Sequence, residues 1–279
     1  MERKWLFYVL TFIESLRIRG DHLELSYLDL LSPEPVYFHN IGGVISPTLK
    51  EIRSIGYDNY QLYLNLFLMT PKSFYETIQQ SEYYDSLSVE QQAALSIFDL
   101  MTEHDSFRTM LENALNFFMK EQVHYHAEIH AFYTYEKDED KNTDKNPVGM
   151  IHKNIWPALC KIVLQRNNMK PPKNDITQAK NQRALAIMKK LQEGRDKQNI
   201  KNKSDKNMEL GNIISAIANR HESLNILNIW DLTIYQLWDS FHRLCNNNIL
   251  DIQSMSVAAW GDKEKRFDSA GWFKNITEN

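Results

Sequence analysis

Four side chains able to bind a metal ion lie close together in the sequence: His124, His126, Glu128 and His130. Imidazole and carboxylate groups are the usual protein ligands of zinc and of non-haem iron. Alternate residues of a β-strand point to one face, so a strand here would align all four. The same alternation is typical of the solvent side of a half-buried strand, and ligands along one strand diverge too far to complete a tetrahedron. We predict no metal site here and no cofactor, and keep a metal-dependent enzyme using His124, His126 and His130 as an alternative function.

Other catalytic patterns are absent from the sequence. The chain has no Gly-x-Gly-x-x-Gly or Walker-type phosphate loop and no Gly-x-Ser-x-Gly nucleophile elbow. Its two cysteines, Cys160 and Cys245, cannot make a disulfide framework, which favours a reducing compartment. We predict that the protein is not an enzyme.

The charge balance argues against nucleic acid as a partner. The net charge is -4 and the pI is near 6.2, whereas nucleic-acid binders usually carry a basic excess. The Lys-rich stretch 189–206 contains acidic residues and has no interleaved aromatic side chains for base stacking. The apolar run Trp5–Ile13 is shorter than the roughly 20 residues that a membrane-spanning helix needs. We predict no membrane association, no signal peptide and a cytoplasmic location.

Few residues that break helices occur in this chain of 279 residues, which has 9 Gly and 8 Pro beside 6 Trp, 13 Tyr and 13 Phe. That balance predicts a mainly helical protein with large packing surfaces. Ser46-Pro47 is typical of a helix start and Gly56 of a helix end. A second helix is predicted from Asp58, and its apolar residues surround it, which predicts burial on all sides.

The hydrophobic period changes after position 121. Polar and apolar residues alternate from Gln122 to Tyr135, which predicts a strand, and a short strand or turn around 148–150 would close a hairpin. The predicted fold class is therefore mainly α, a multi-helix domain with a small antiparallel β element near 122–150, with an α+β fold as the alternative. We predict four segments: an N-terminal extension (1–24), a mainly helical domain (25–193), a polar linker (194–207) and a C-terminal helical segment (208–279).

The C-terminal segment contains two predicted helices. Leu210, Ile213, Ile214 and Ile217 follow helical spacing in the first. The second is predicted from Thr233 to Cys245, with Thr233 and Gln236 forming its N-terminal cap.

Several stretches carry a resemblance to a known family. They are Ile45–Tyr57, Leu210–Asn219, Leu227–Leu244, Ala259–Asp268 and Gly271–Ile276. Together these stretches resemble bacteriophage and prophage tail proteins of the kind assigned as tail assembly chaperones. The resemblance extends roughly from Leu25 to Ile276.

The resemblance implies a non-catalytic role in tail morphogenesis within the bacterial host cytoplasm. Proteins of this kind coat the helical tape-measure protein, self-associate along it and leave as the tail-tube protein polymerises. It implies the tape-measure and tail-tube proteins as partners, with a possible homo-oligomer; a structural virion component such as a baseplate or connector subunit is the alternative. Aromatic side chains dominate interface energetics, so we predict six partner-binding residues. They are Trp230, Tyr235, Trp238, Trp260, Trp272 and Phe273.

Overall fold

The computed structural model describes residues 23–137, 147–169, 206–263 and 265–275. The chain divides into two compact units. The first consists of residues 1–170 and 231–236, and the second of residues 171–230 and 237–279. The predicted extension 1–24 and linker 194–207 lie almost wholly outside the described residues.

Helices dominate the first unit, and the predicted mainly α class with a small antiparallel β element is confirmed. Its elements are α1 (Tyr27–Leu31), β1 (Val36–Phe38), β2 (Gly42–Val44), α2 (Leu49–Ile55), α3 (Tyr57–Leu68), α4 (Pro71–Thr77), α5 (Ser81–Ser86), α6 (Val89–Ala94), α7 (Ile97–Glu103), α8 (Asp105–Phe118), β3 (Gln122–His126), β4 (Ala131–Tyr135), β5 (Gly149–Ile151) and α9 (Trp156–Arg166).

The start of α2 differs from its prediction. The helix begins at Leu49, and Thr48 is the N-cap in a reciprocal capping box with Glu51. Ser46, the predicted cap, is buried instead, and its hydroxyl donates to the Arg166 carbonyl at 2.7 Å. Gly56 ends the helix as predicted, with a φ of 86° that favours glycine.

Aromatic side chains of three helices form the centre of this unit. Phe67 of α3 lies between Phe118 of α8, at 5.4 Å between ring centroids, and Trp156 of α9, at 5.3 Å. All three are nearly inaccessible to solvent, so their apolar area contributes strongly to stability. The predicted burial of α3 on all sides is wrong, because Leu62 is 41% exposed and marks a solvent face.

The β element is a three-stranded antiparallel sheet in the order β3-β4-β5. The prediction of one strand from Gln122 to Tyr135 is wrong in its middle. Ala127–Ile129 form a 3-10 turn and His130 adopts a left-handed φ of 47°, so the chain reverses between two strands. The predicted strand near 148–150 is present as β5 and pairs with β4.

Side chains of α8 satisfy the outer edge of β3. The Asn116 amide accepts from the Val123 N–H at 2.9 Å and donates to the Val123 carbonyl at 2.8 Å. Glu112, one turn earlier, accepts from the Tyr125 N–H at 3.3 Å. An open strand edge is a template for aggregation. Asn116 and Glu112 take up hydrogen-bonding groups of the β3 edge that another strand could otherwise use.

A buried guanidinium holds the first described residues against the unit. The Arg166 side chain is fully buried and donates to the backbone carbonyls of Asp29, Ser32 and Glu34. The neighbouring Gln165 side chain accepts from the Leu25 N–H at 2.9 Å. Burial lowers the pKa of Arg166 to about 10, which still leaves it charged at neutral pH.

A short segment from the C-terminal part completes the first unit. Thr233 forms an antiparallel bridge with Thr48, and the Leu49 N–H donates to the Leu232 carbonyl at 2.9 Å. The Gln236 amide donates to the Leu31 carbonyl at 2.8 Å. The start of the last helix is thereby built into the first unit.

Loss of stability at alkaline pH is expected from Tyr60. Its buried hydroxyl donates to the Asn167 side chain at 2.9 Å, and burial raises the pKa of Tyr60 well above its ordinary value of 10.0. The folded chain then holds this proton more tightly than the unfolded chain. The contribution is complete below about pH 10 and is lost as the pH rises further. The free energy of unfolding, measured with urea from about pH 8 to about pH 11, should therefore fall less steeply with pH for Tyr60→Phe than for the natural chain.

A control for that comparison is Tyr83→Phe, which removes a hydroxyl from a side chain that is 55% exposed. It should keep the natural pH dependence. If the free energy of unfolding falls equally steeply with pH for Tyr60→Phe and for the natural chain, the Tyr60 hydroxyl is not the source of the alkaline loss of stability.

The second unit contains α10 (Leu210–Arg220) and most of α11 (Ile234–Trp260), with 3-10 turns at Ile229–Asp231 and Gly271–Phe273. The predicted apolar face of α10 is confirmed. Its four residues Leu210, Ile213, Ile214 and Ile217 are all buried. The cap of α11 by Thr233 and Gln236 is confirmed as well, with reciprocal hydrogen bonds of 3.2 and 3.0 Å. The helix runs 15 residues past its predicted end at Cys245, to Trp260.

Candidate protein-interaction surface

The predicted histidine cluster is divided by its hydrogen bonds. His124 Nδ1 lies 3.2 Å from a Glu112 carboxylate oxygen, and His126 Nε2 lies 3.0 Å from the Tyr135 hydroxyl. His130, in the turn, lies 3.3 Å from the Tyr125 hydroxyl. Within the described residues, no three or more His, Cys, Asp or Glu side chains are arranged to hold a metal ion.

The six predicted partner-binding residues separate into two groups by exposure. Tyr235 is buried at 7% exposure, and Trp230 and Trp238 are half-buried. The Trp230 indole N–H donates to the Ile226 carbonyl at 2.9 Å, which fixes its ring within the unit. Tyr235 is therefore part of the interior, whereas Trp230 and Trp238 keep part of their surface accessible.

The other three predicted residues face solvent. Trp260 is 81% exposed, Trp272 is 60% exposed and Phe273 is 61% exposed. The rings of Trp272 and Phe273 meet edge to face at 5.0 Å. Large aromatic side chains that remain this accessible are typical of protein contact surfaces.

A tight turn after α11 positions the aromatic pair. Gly261 has a φ of 76°, and the Asp262 carboxylate accepts from the backbone N–H groups of Arg266 and Phe267 at 3.0 and 2.9 Å. These backbone hydrogen bonds, led by that of Phe267, lower the pKa of Asp262. The turn directs the following residues back along the helix.

The returning segment lies along one side of α11. Arg243 donates to the Lys274 carbonyl at 2.8 Å, and Gly271 lies beside the Leu250 side chain. A Cβ added at Gly271 would lie 3.3 Å from Leu250 Cδ1, so the approach is close. The pair Trp272 and Phe273 is thus held near the Leu250 side of the helix.

A second exposed apolar feature was missed in the sequence. Ile249 is 55% exposed and Ile252 and Met255 are each 64% exposed, and Trp260 ends the same helix. Ile249, Ile252, Met255 and Ala259 follow one another in steps of three and four residues. Trp260 comes 11 residues after Ile249, about three helical turns, so all five side chains share one broad face. We call Ile249, Ile252, Met255, Ala259 and Trp260 the α11 stripe. The spacing and the absence of Gly or Pro between positions 246 and 260 were the signals for it.

The α11 stripe lies in a region almost free of charge. Between Leu244 and Gly261 the sequence has one charged residue, Asp251. Exposed helix faces ordinarily carry Lys, Glu and Arg. An exposed face that is apolar and almost uncharged is instead typical of a surface that contacts another protein.

Comparison with known families bears on this same region. Residues 201–277 match the family model of the YomV second domain. That family is phage-derived, so this part of the chain contains a phage-associated domain. No curated protein and no solved structure matches the chain.

The matched YomV-type segment includes every residue of the α11 stripe and the pair Trp272 and Phe273. The resemblance to phage proteins is thus confirmed for this segment. Among the described residues, no helix has both the length and the hydropathy needed to cross a lipid bilayer.

Proposed function

We propose that the protein is a non-catalytic chaperone of phage tail assembly that holds the tape-measure protein in the host cytoplasm until tail-tube protein replaces it. One observation carries the proposal: the segment related to a phage family carries large exposed apolar side chains, those of Ile249, Ile252, Met255, Trp260, Trp272 and Phe273 among them. A chaperone of this kind needs accessible apolar surface to hold a long helical client.

The hydrogen-bonding pattern of the unit supports the same role. The turn after α11 and the contact of Arg243 with Lys274 present Trp272 and Phe273 on a fixed backbone. A fixed aromatic side chain loses little conformational entropy on binding, so it is an effective contact residue.

Co-expression tests the proposal. The tape-measure protein encoded by the same phage genome should be largely insoluble alone, and should become soluble and co-purify when this chain is present. The comparison is co-expression with an unrelated helical protein at equal level, which should leave it insoluble. If the tape-measure protein stays insoluble and no complex is recovered, the proposal is wrong.

Mass spectrometry of purified particles separates a chaperone from a structural subunit. A chaperone should be absent from finished tails, because tail-tube protein has replaced it. Presence at a fixed ratio to the other tail proteins would instead establish a baseplate or connector component.

A further inference from the structure

We propose that the α11 stripe is the docking site for one helix of the client, the tape-measure protein. This helix docks side by side along α11 through its own uncharged apolar face. The inference rests on the proposed function and deepens it, because it names the contacting element on this chain and the chemistry of the segment it takes.

The geometry of the stripe fits a helix. From Ile249 to Trp260 the helix rises about 16 Å, so the stripe spans about three turns. Side chains spaced three and four residues apart form the ridges into which a second helix packs. Helix-in-groove recognition uses the same spacing of apolar anchors on both partners.

The charge pattern defines the chemistry of the partner. Asp251 is the one charged residue between Leu244 and Gly261, and it lies one turn before Met255, at the edge of the stripe. The rest of the stripe offers no ion pair to a charged helix. Burying an unpaired charge against it would be unfavourable, so an apolar, uncharged face is selected.

The contact area favours a long client over a second copy of this chain. Four large side chains of this kind offer on the order of 500 Å² of contact, below the roughly 800 Å² per partner of a stable two-chain interface. A contact this small is weak alone. It becomes effective when many copies bind along one extended helical protein.

The pair Trp272 and Phe273 lies outside this docking site. Leu250, which Gly271 approaches, is turned about 100° around the helix from Ile249. A helix lying on the stripe would therefore contact Trp260 and the four apolar residues of the stripe that precede it.

Two double variants of the full chain test the inference. Ile252→Glu with Met255→Glu places two carboxylates in the stripe. Ser254→Glu with Ala258→Glu places the same two charges on exposed positions across the same helix. Both variants should fold, because all four side chains are exposed, and their urea unfolding midpoints should match the natural chain.

Binding to the co-expressed tape-measure protein is then measured by pull-down and titration. The stripe variant should lose at least about tenfold in affinity, and the control variant should stay within about twofold of the natural chain. Equal binding by both variants would overturn the inference and leave the proposed function standing. No complex even with the natural chain would overturn both.

Light scattering of the chain alone adds a second readout. A monomer, or an oligomer unchanged in the stripe variant, supports the inference. A dimer that only the stripe variant loses would show a second copy on the stripe and overturn it.

Discussion

Replacing Arg166 with methionine should lower the free energy of unfolding by about 3 kcal/mol, measured by urea denaturation. The guanidinium donates to three backbone carbonyls, those of Asp29, Ser32 and Glu34. Methionine is apolar, shorter than arginine and has no donor, so these carbonyls lose their shared partner. The residues of α1 should then detach and become sensitive to proteases.

The matched control is Lys72→Met, which removes a cation from an exposed pair with Glu76 at 3.8 Å. It should change stability by less than about 0.5 kcal/mol. The loss of stability for Arg166→Lys should lie between those of Lys72→Met and Arg166→Met, because an ammonium group cannot reproduce the planar fork of donors. An unchanged unfolding midpoint for Arg166→Met would show that the three hydrogen bonds contribute little.

Replacing Gly149 with alanine should cost about 2–3 kcal/mol, because the site is already filled. An added Cβ would overlap the carbonyl of Asn40 and lie 2.6 Å from the Ile41 amide nitrogen. Those are backbone atoms, so no side-chain rotation relieves the overlap. The Met150 N–H also donates to the Asn40 carbonyl at 2.8 Å, and a shift of β5 would break that hydrogen bond.

Gly211→Ala is the control, and we expect it to change stability in the opposite direction. It lies near the start of α10, where an added Cβ has no neighbour within 4 Å. Alanine is the better helix former, so this change should raise stability by about 0.5 kcal/mol. Equal effects of the two substitutions on the thermal midpoint would argue against the close approach at Gly149.

Predictions about helices succeeded where the signal is local. The capping residues Thr233 and Gln236 and the apolar face of α10 depend on neighbours within one or two turns, and the sequence contains those neighbours. The strand prediction failed at 127–130 because the reversal has no Gly or Pro. His130 takes the left-handed conformation that glycine usually supplies.

The candidate surface was predicted in part. Of the six predicted residues, Trp260, Trp272 and Phe273 are exposed, whereas Trp230, Tyr235 and Trp238 are buried or half-buried. Ile249, Ile252 and Met255 were missed because the helix was predicted to end at Cys245. Hydrophobic spacing identifies a face of a helix, but it does not say whether that face meets the core or solvent.

The sequence by itself determined the mainly α class, the position of the β element and the phage-like character of the C-terminal segment. The first two follow from composition and local periodicity. The third follows from the resemblance of that segment to phage tail proteins. Only the tertiary structure decided that Arg166 is a buried anchor, that the three histidines have separate partners and that the C-terminal half of α11, with its stripe, is open to solvent. The Arg166 contacts join residues more than 130 positions apart, and the histidine contacts depend on the chain reversal after β3 and on the packing of α8 against it. Packing, rather than spacing in the sequence, therefore sets these contacts.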